Sequence, residues 1–72
     1  MIYNVLVVGV GNMGSSHARA YHKIDKFNLV GLVSRTPKKR MKLSEELNNT
    51  PHFDNFNYAL EHTKPDIVSI NS

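Results

Sequence analysis

The feature that most constrains this chain lies at its start, where the apolar run Tyr3 to Val8 passes without a break into Gly9-Val10-Gly11-Asn12-Met13-Gly14. A short run rich in Val and Leu that ends in glycine describes a strand buried on both faces of a parallel sheet. Beyond it the period changes. At about 100° per residue, Met13, Gly14, His17, Ala18, Tyr21 and Ile24 share one arc, with Ser15, Ser16, Arg19, His22 and Lys23 outside it, so an amphipathic helix follows the turn.

The rest of the chain repeats the alternation. Phe27 to Ser34 is a second strand-length apolar run, with Gly31 open to the close approach of another backbone. Thr36 followed by Pro37 marks a helix start, Thr as the cap and Pro at the first helical position. That helix is expected to reach about Asn48 and, with only Met41, Leu43 and Leu47 on its apolar side, to cover the sheet from outside rather than enter a core. His52 and Phe53 suit a very short third strand. Asp54 or Asn55 can cap a short helix through Leu60, Pro65 ends what helix remains, and Asp66 to Ile70 forms the last strand. Strands alternating with helices imply right-handed crossovers and a parallel sheet, so the fold class is α/β, part of a doubly wound parallel sheet with flanking helices. Such sheets bind ligands beyond the carboxyl ends of their strands, here Gly9 to Gly14, Ser34 to Thr36, and Asn71 with Ser72.

Length and composition remove other classes. Seventy-two residues suffice for one domain with a small core, and no second, substrate-binding domain fits within them. Without cysteine there is no disulfide frame, thiolate metal site or Cys nucleophile, and a cytoplasmic origin is expected. The apolar stretch Val5 to Val8 has no positive segment before it and falls far short of the ~18 residues of a membrane span. The net charge of +3 is too small to argue for nucleic acid. The basic cluster of Lys38, Lys39, Arg40 and Lys42 has neither interleaved aromatics nor a recognition motif to support that reading. His22, His52 and His62 are isolated, with no pair at metal-ligand spacing and no nearby carboxylate cluster, so no metal is expected. His17, in the middle of the helical arc, is expected to pack beneath the first helix, and Asp66 to serve a turn rather than chemistry.

Gly9 to Gly14 fits G-x-G-x-x-G, and its place between a strand and a helix turns a weak pattern into a specific one. Gly9 makes the tight turn, Gly11 lets backbone approach a pyrophosphate, and Gly14 lets helix and strand pack closely. Amides around Asn12 and Met13 then point at phosphates along the helix dipole. The bland alternative is a glycine turn that merely joins two elements. A lysine placed to hold a triphosphate is missing, which disfavours mononucleotides.

The stretch GVGNMGSSHARAY (Gly9 to Tyr21), the strand ending VSRTPKKR and the closing PDIVSINS resemble the start of the glucose-fructose oxidoreductase and inositol dehydrogenase family, Gfo/Idh/MocA, over essentially all 72 residues. The resemblance implies residues 1–72 are the N-terminal portion of an NAD(P)-binding Rossmann domain from an oxidoreductase of sugars, polyols and related compounds. It also implies that the family's Glu-Lys-Pro motif, whose lysine takes part in proton transfer, lies beyond the sequence, so no catalytic residue carries over, these 72 residues alone are expected to be inactive, and the longer parent is expected to be a homo-oligomer. The rival reading is a non-enzymatic, nucleotide-sensing module using the same glycines.

Cofactor choice turns on the end of the second strand. NAD-binding versions of this fold place an Asp or Glu about 20 residues past the glycines to hold the ribose 2′-hydroxyl, and this chain has Ser34 there. Ser34 and Thr36 can donate hydroxyl hydrogen bonds, and Arg35 can hold phosphate oxygens through its planar fork. Lys38, Lys39 and Arg40 sit at the positive end of the next helix, a conflict that a bound 2′-phosphate would relieve. NADP is therefore favoured over NAD, and the expected cofactor-binding residues are Gly9, Gly11, Asn12, Met13, Gly14, Ser34, Arg35, Thr36, Lys39, Asn71 and Ser72.

Overall fold

A computed structural model of the chain describes residues 1–71; Ser72, expected at the site, lies outside the described residues. Seven elements alternate as β1 (Tyr3–Val8), α1 (Asn12–Lys23), β2 (Phe27–Val33), α2 (Pro37–Glu46), β3 (His52–Phe53), α3 (Phe56–Thr63) and β4 (Ile67–Ile70). The four strands form one parallel sheet in the order β3-β2-β1-β4. The chain moves outward from β1 to β3 and then crosses back to place β4 on the other side of β1. This reversal beside β1 is the topological switch point at which open α/β sheets bind ligands.

Alternation along β1 divides the core between the sheet's two faces. Val5 and Val7 pack with Ala18 of α1 and with Leu43 and Leu47 around α2, while Leu6 joins Val33 and Ala59 of α3 on the opposite face. The expectation that α2 merely covers the sheet is corrected here. Leu43 and Leu47, one helical turn apart, are buried in the core, and only Met41 turns to solvent.

In β2 a slip in register pairs Val5 with Leu29 but Leu6 with Gly31, leaving Val30 as an extra residue. A one-residue bulge exchanges the faces of all that follows. Leu29 and Leu32 consequently share the α1 and α2 face despite their odd spacing. A Cβ on Gly31 would crowd the side chains of Leu6 and Phe53, at 2.9 Å from each. What approaches Gly31 is therefore side chain, where the sequence suggested backbone.

Two helix starts that look alike in sequence differ. Asn55 caps α3, its Oδ1 accepting the Tyr58 N–H at 2.8 Å, and α3 continues past Leu60 to Thr63. Thr36 makes no side-chain cap for α2; its own N–H instead donates to Ser34 Oγ at 3.1 Å. Among the described residues no helix is long and apolar enough to cross a membrane.

Candidate functional site

The carboxyl ends of β1, β2 and β4 meet at the glycine turn. Gly9 donates its N–H to the Val33 carbonyl at 2.8 Å, and Asn71 donates its N–H to the Val8 carbonyl at 2.9 Å. Gly9 has φ of +89°, and a Cβ there would strike the Asn71 carbonyl oxygen. A Cβ on Gly14 would strike the Gly9 carbonyl oxygen. These two glycines are therefore required by the chain's own packing. Gly11 is different, because a Cβ there would meet no atom of the chain within 4 Å. Open space at a glycine inside a tight turn fits the close approach of an external group.

Gly11 is also the residue before α1, and it offers no side chain to cap the helix. The first bond into the helix runs from Ser15 N–H to the Gly11 carbonyl at 2.8 Å, so the amides of Asn12, Met13 and Gly14 precede it. No acidic side chain stands in this first turn. The positive end of α1 thus faces outward beside the open glycine, a ready seat for phosphate oxygens. Ser15 Oγ donates to the Val10 carbonyl at 2.8 Å and holds the turn's shape. Sequence reasoning missed that contact because Ser15 fell outside the expected apolar arc.

The packed stripe of α1 is Gly14, Ala18 and the half-buried Tyr21, rotated toward Ser15; His17 and Met13 are exposed. The expectation that His17 packs beneath the helix is corrected accordingly. Small side chains at Gly14 and Ala18 bring α1 against the sheet along that line, and a histidine one residue aside is left in solvent.

Two hollows flank the turn. The first, of about 470 Å³, is bordered by Val8, Gly9, Val33, Ser34 and Arg35 and closed by Asp54 to Asn57. The second, of about 210 Å³, lies between α1 and α2 and gathers Asn12, Ser15, Arg19, Lys39, Lys42 and Glu46. The expected residues therefore divide. Gly9, Ser34 and Arg35 share one hollow, Asn12 and Lys39 the other, while Asn71 packs on Gly9 and Gly14, its side-chain amide donating to the Val8 and Ser69 carbonyls. Thr36 is exposed, beside Ser34 in the turn.

Arg40 departs from the expected cluster of free cations. Its Nη1 donates to the Ser34 carbonyl at 2.6 Å and its Nε to His52 Nδ1 at 2.9 Å. Arg19 grips Glu46 with two bonds, Nε to Oε2 at 2.5 Å and Nη2 to Oε1 at 3.1 Å, tying α1 to α2 at the edge of the smaller hollow. That hydrogen bond holds the Glu46 carboxyl below the usual carboxylate range and raises the Arg19 guanidinium above its ordinary value. Among the described residues no three His, Asp or Glu side chains gather where they could hold a metal.

A parallel sheet ordered β3-β2-β1-β4, with a G-x-G-x-x-G turn leading into an uncapped helix, defines a partial Rossmann fold. Residues 3–72 match the model of the Gfo/Idh/MocA oxidoreductase family, described as having an NAD-binding Rossmann fold, and the chain belongs to this family. Among solved structures it is similar to scyllo-inositol dehydrogenase from Lactobacillus casei with bound NAD(H) and scyllo-inositol, at 27% identity and a TM-score of 0.89 over 100% of this chain and 22% of that one. The apo form of the same enzyme at 77 K matches at 28% identity and a TM-score of 0.89, over 99% of this chain and 21% of that one. A protein from Desulfitobacterium hafniense proposed to be an NADPH-dependent oxidoreductase matches at 28% identity and a TM-score of 0.86, over 99% of this chain and 20% of that one. No curated protein matches the chain. The chain thus spans about a fifth of the length of the solved structures it resembles.

Proposed function

We propose that these residues form the cofactor-holding part of a cytoplasmic NAD(P)-dependent oxidoreductase that acts on a sugar, a polyol or a related compound. The observation that carries the reading is the open Cβ direction of Gly11 beside the free amides that begin α1. Gly9 and Gly14 fix the turn, Gly11, Asn12 and Met13 present backbone to the pyrophosphate, and Asn71 braces the turn from β4. When bound, the nicotinamide supplies the hydride chemistry. Membership in an oxidoreductase family and likeness to an inositol dehydrogenase support the substrate class.

NADP is the favoured cofactor. Ser34 stands where a carboxylate would repel a 2′-phosphate, Arg35 borders the same hollow, and Lys39 lies within reach of the turn beside Asn12. A charge-assisted hydrogen bond contributes ~1.5 to 3 kcal/mol, so one good Arg35 contact should favour NADPH over NADH by roughly 10-fold to 150-fold. Titration calorimetry of the protein with each dinucleotide, repeated for Arg35→Ala and Ser34→Asp, tests this. The expected result is a preference for NADPH that both substitutions erode; equal affinities, or a ratio indifferent to both changes, would refute it. The 72 residues assayed by themselves should bind cofactor without turning over sugars or polyols, because the relatives are about five times as long.

A further inference from the structure

Arg40 lies in the first turn of α2, where a cation opposes the helix dipole, and its guanidinium turns back into the protein rather than out to water. It is half-buried, as is His52. Ser34, the first residue past β2, is held from three sides. Its carbonyl accepts from Arg40 at 2.6 Å, its N–H donates to the Phe53 carbonyl at 3.0 Å, and its hydroxyl accepts the Thr36 N–H at 3.1 Å. His52 receives the other arm of Arg40 at 2.9 Å from the neighbouring strand β3.

We infer that Arg40 and His52 form a clamp that positions Ser34 and the β2–α2 turn for the dinucleotide. Arg40 is thus a positioning residue and not a phosphate ligand, an inference that rests on the cofactor reading above. Arginine suits the task because its planar fork serves two acceptors at once in fixed directions, which a lysine ammonium on a flexible stem does not. The acceptor role also fixes the histidine: Nδ1 receives the Arg40 N–H, so the ring proton sits on Nε2. Arg35 is left to discriminate between cofactors, and Arg40 to set where that discrimination happens. The two roles separate in binding data, because a ligand to the 2′-phosphate changes the NADPH to NADH ratio whereas a positioning clamp changes both affinities together.

Nitrogen-15 NMR of the ligand-free protein tests the clamp without any cofactor. His52 should show a proton-free Nδ1 and a protonated Nε2. Arg40→Lys and His52→Leu should each speed hydrogen exchange of the Ser34 amide about 5-fold, the factor to which one net hydrogen bond of ordinary strength amounts. His52→Asn, whose side-chain oxygen can accept the same N–H, should restore part of the protection. Calorimetry should then show Arg40→Lys weakening NADPH and NADH by similar factors of about 5, with their ratio kept. A proton on Nδ1, or Ser34 exchange unchanged in both disruptive variants, would overturn the clamp. Faster Ser34 exchange with unaltered dinucleotide affinities would overturn its positioning role alone. If the unsubstituted protein bound neither dinucleotide, the cofactor reading would fail and take the clamp's purpose with it, while the exchange data would still decide whether the clamp exists.

Discussion

Three glycines of one turn are constrained by different neighbours, and substitutions can tell them apart. Alanine at Gly14 forces a methyl group into the Gly9 carbonyl, a backbone atom that cannot swing aside. We expect Gly14→Ala to destabilise the fold by ~1 to 3 kcal/mol, the usual penalty of overpacking a filled site. Gly11→Ala meets no atom of the chain and should alter stability by no more than about 1 kcal/mol, the scale of a changed helix cap. Its effect should fall on dinucleotide affinity instead. Urea denaturation and calorimetry on both variants check this, and the idea fails if Gly11→Ala unfolds the protein or leaves binding untouched. The packing roles of Gly9 and Gly14 were legible in the sequence because a G-x-G-x-x-G turn between strand and helix brings both elements against the glycines. Arg40 was not legible: its partners Ser34 and His52 lie in other segments, and a run of basic residues looks alike whether its members face water or a carbonyl.

At the scale of elements, the ends of α2 and α3 give a paired test. Asn55→Ala should cost about 1 kcal/mol through the lost bond to Tyr58 N–H, while Thr36→Ala should stay within about 0.5 kcal/mol because Thr36 caps nothing. Thermal melts of the two variants should therefore differ, although both residues read as helix caps in the sequence. The Arg19–Glu46 pair joins α1 to α2 and carries a pH signature. Its hydrogen bond depresses the Glu46 carboxyl, so the pair stabilises the fold above the usual carboxylate range and the contribution is lost as pH falls through the depressed value. Both side chains are nearly half exposed, which keeps the effect small. Denaturation midpoints of Glu46→Gln and the unsubstituted protein should converge on acidification through the depressed value and separate modestly above the usual carboxylate range. A gap that widened on acidification would contradict the sign. Within α2 itself, Leu43→Ala should cost ~2 to 5 kcal/mol and Met41→Ala little, since only the first leaves a cavity in the core.

For the whole molecule, a parallel sheet with flanking helices followed from the sequence because strands alternating with helices admit little else. The bulge at Val30 did not, since an extra residue changes which face each side chain takes without leaving a mark in composition. The same topology makes β4 an edge among the described residues, with its outer backbone groups unpaired. Ile70 at its end is 74% exposed, and Ile2 beside the sheet 65%. A flat apolar edge is a template for another strand, and β4 has none of the usual deterrents: no lysine, no proline and no bulge within Ile67–Ile70. A chain of this length also buries only about 60% of the surface it exposes when unfolded, which leaves little stability to resist pairing through that edge. Produced as these 72 residues, the protein should be poorly stable or self-associating. Analytical ultracentrifugation with thermal melts measures both properties, and Ile70→Lys supplies the control. A lysine at the edge must be desolvated in a β4-to-β4 pairing, so it should shift the sedimentation distribution toward monomer without changing the fold. A monodisperse monomer melting sharply above about 65 °C, the top of the usual mesophile range, would show that the edge is harmless. Association that persists unchanged in Ile70→Lys would move its cause away from β4.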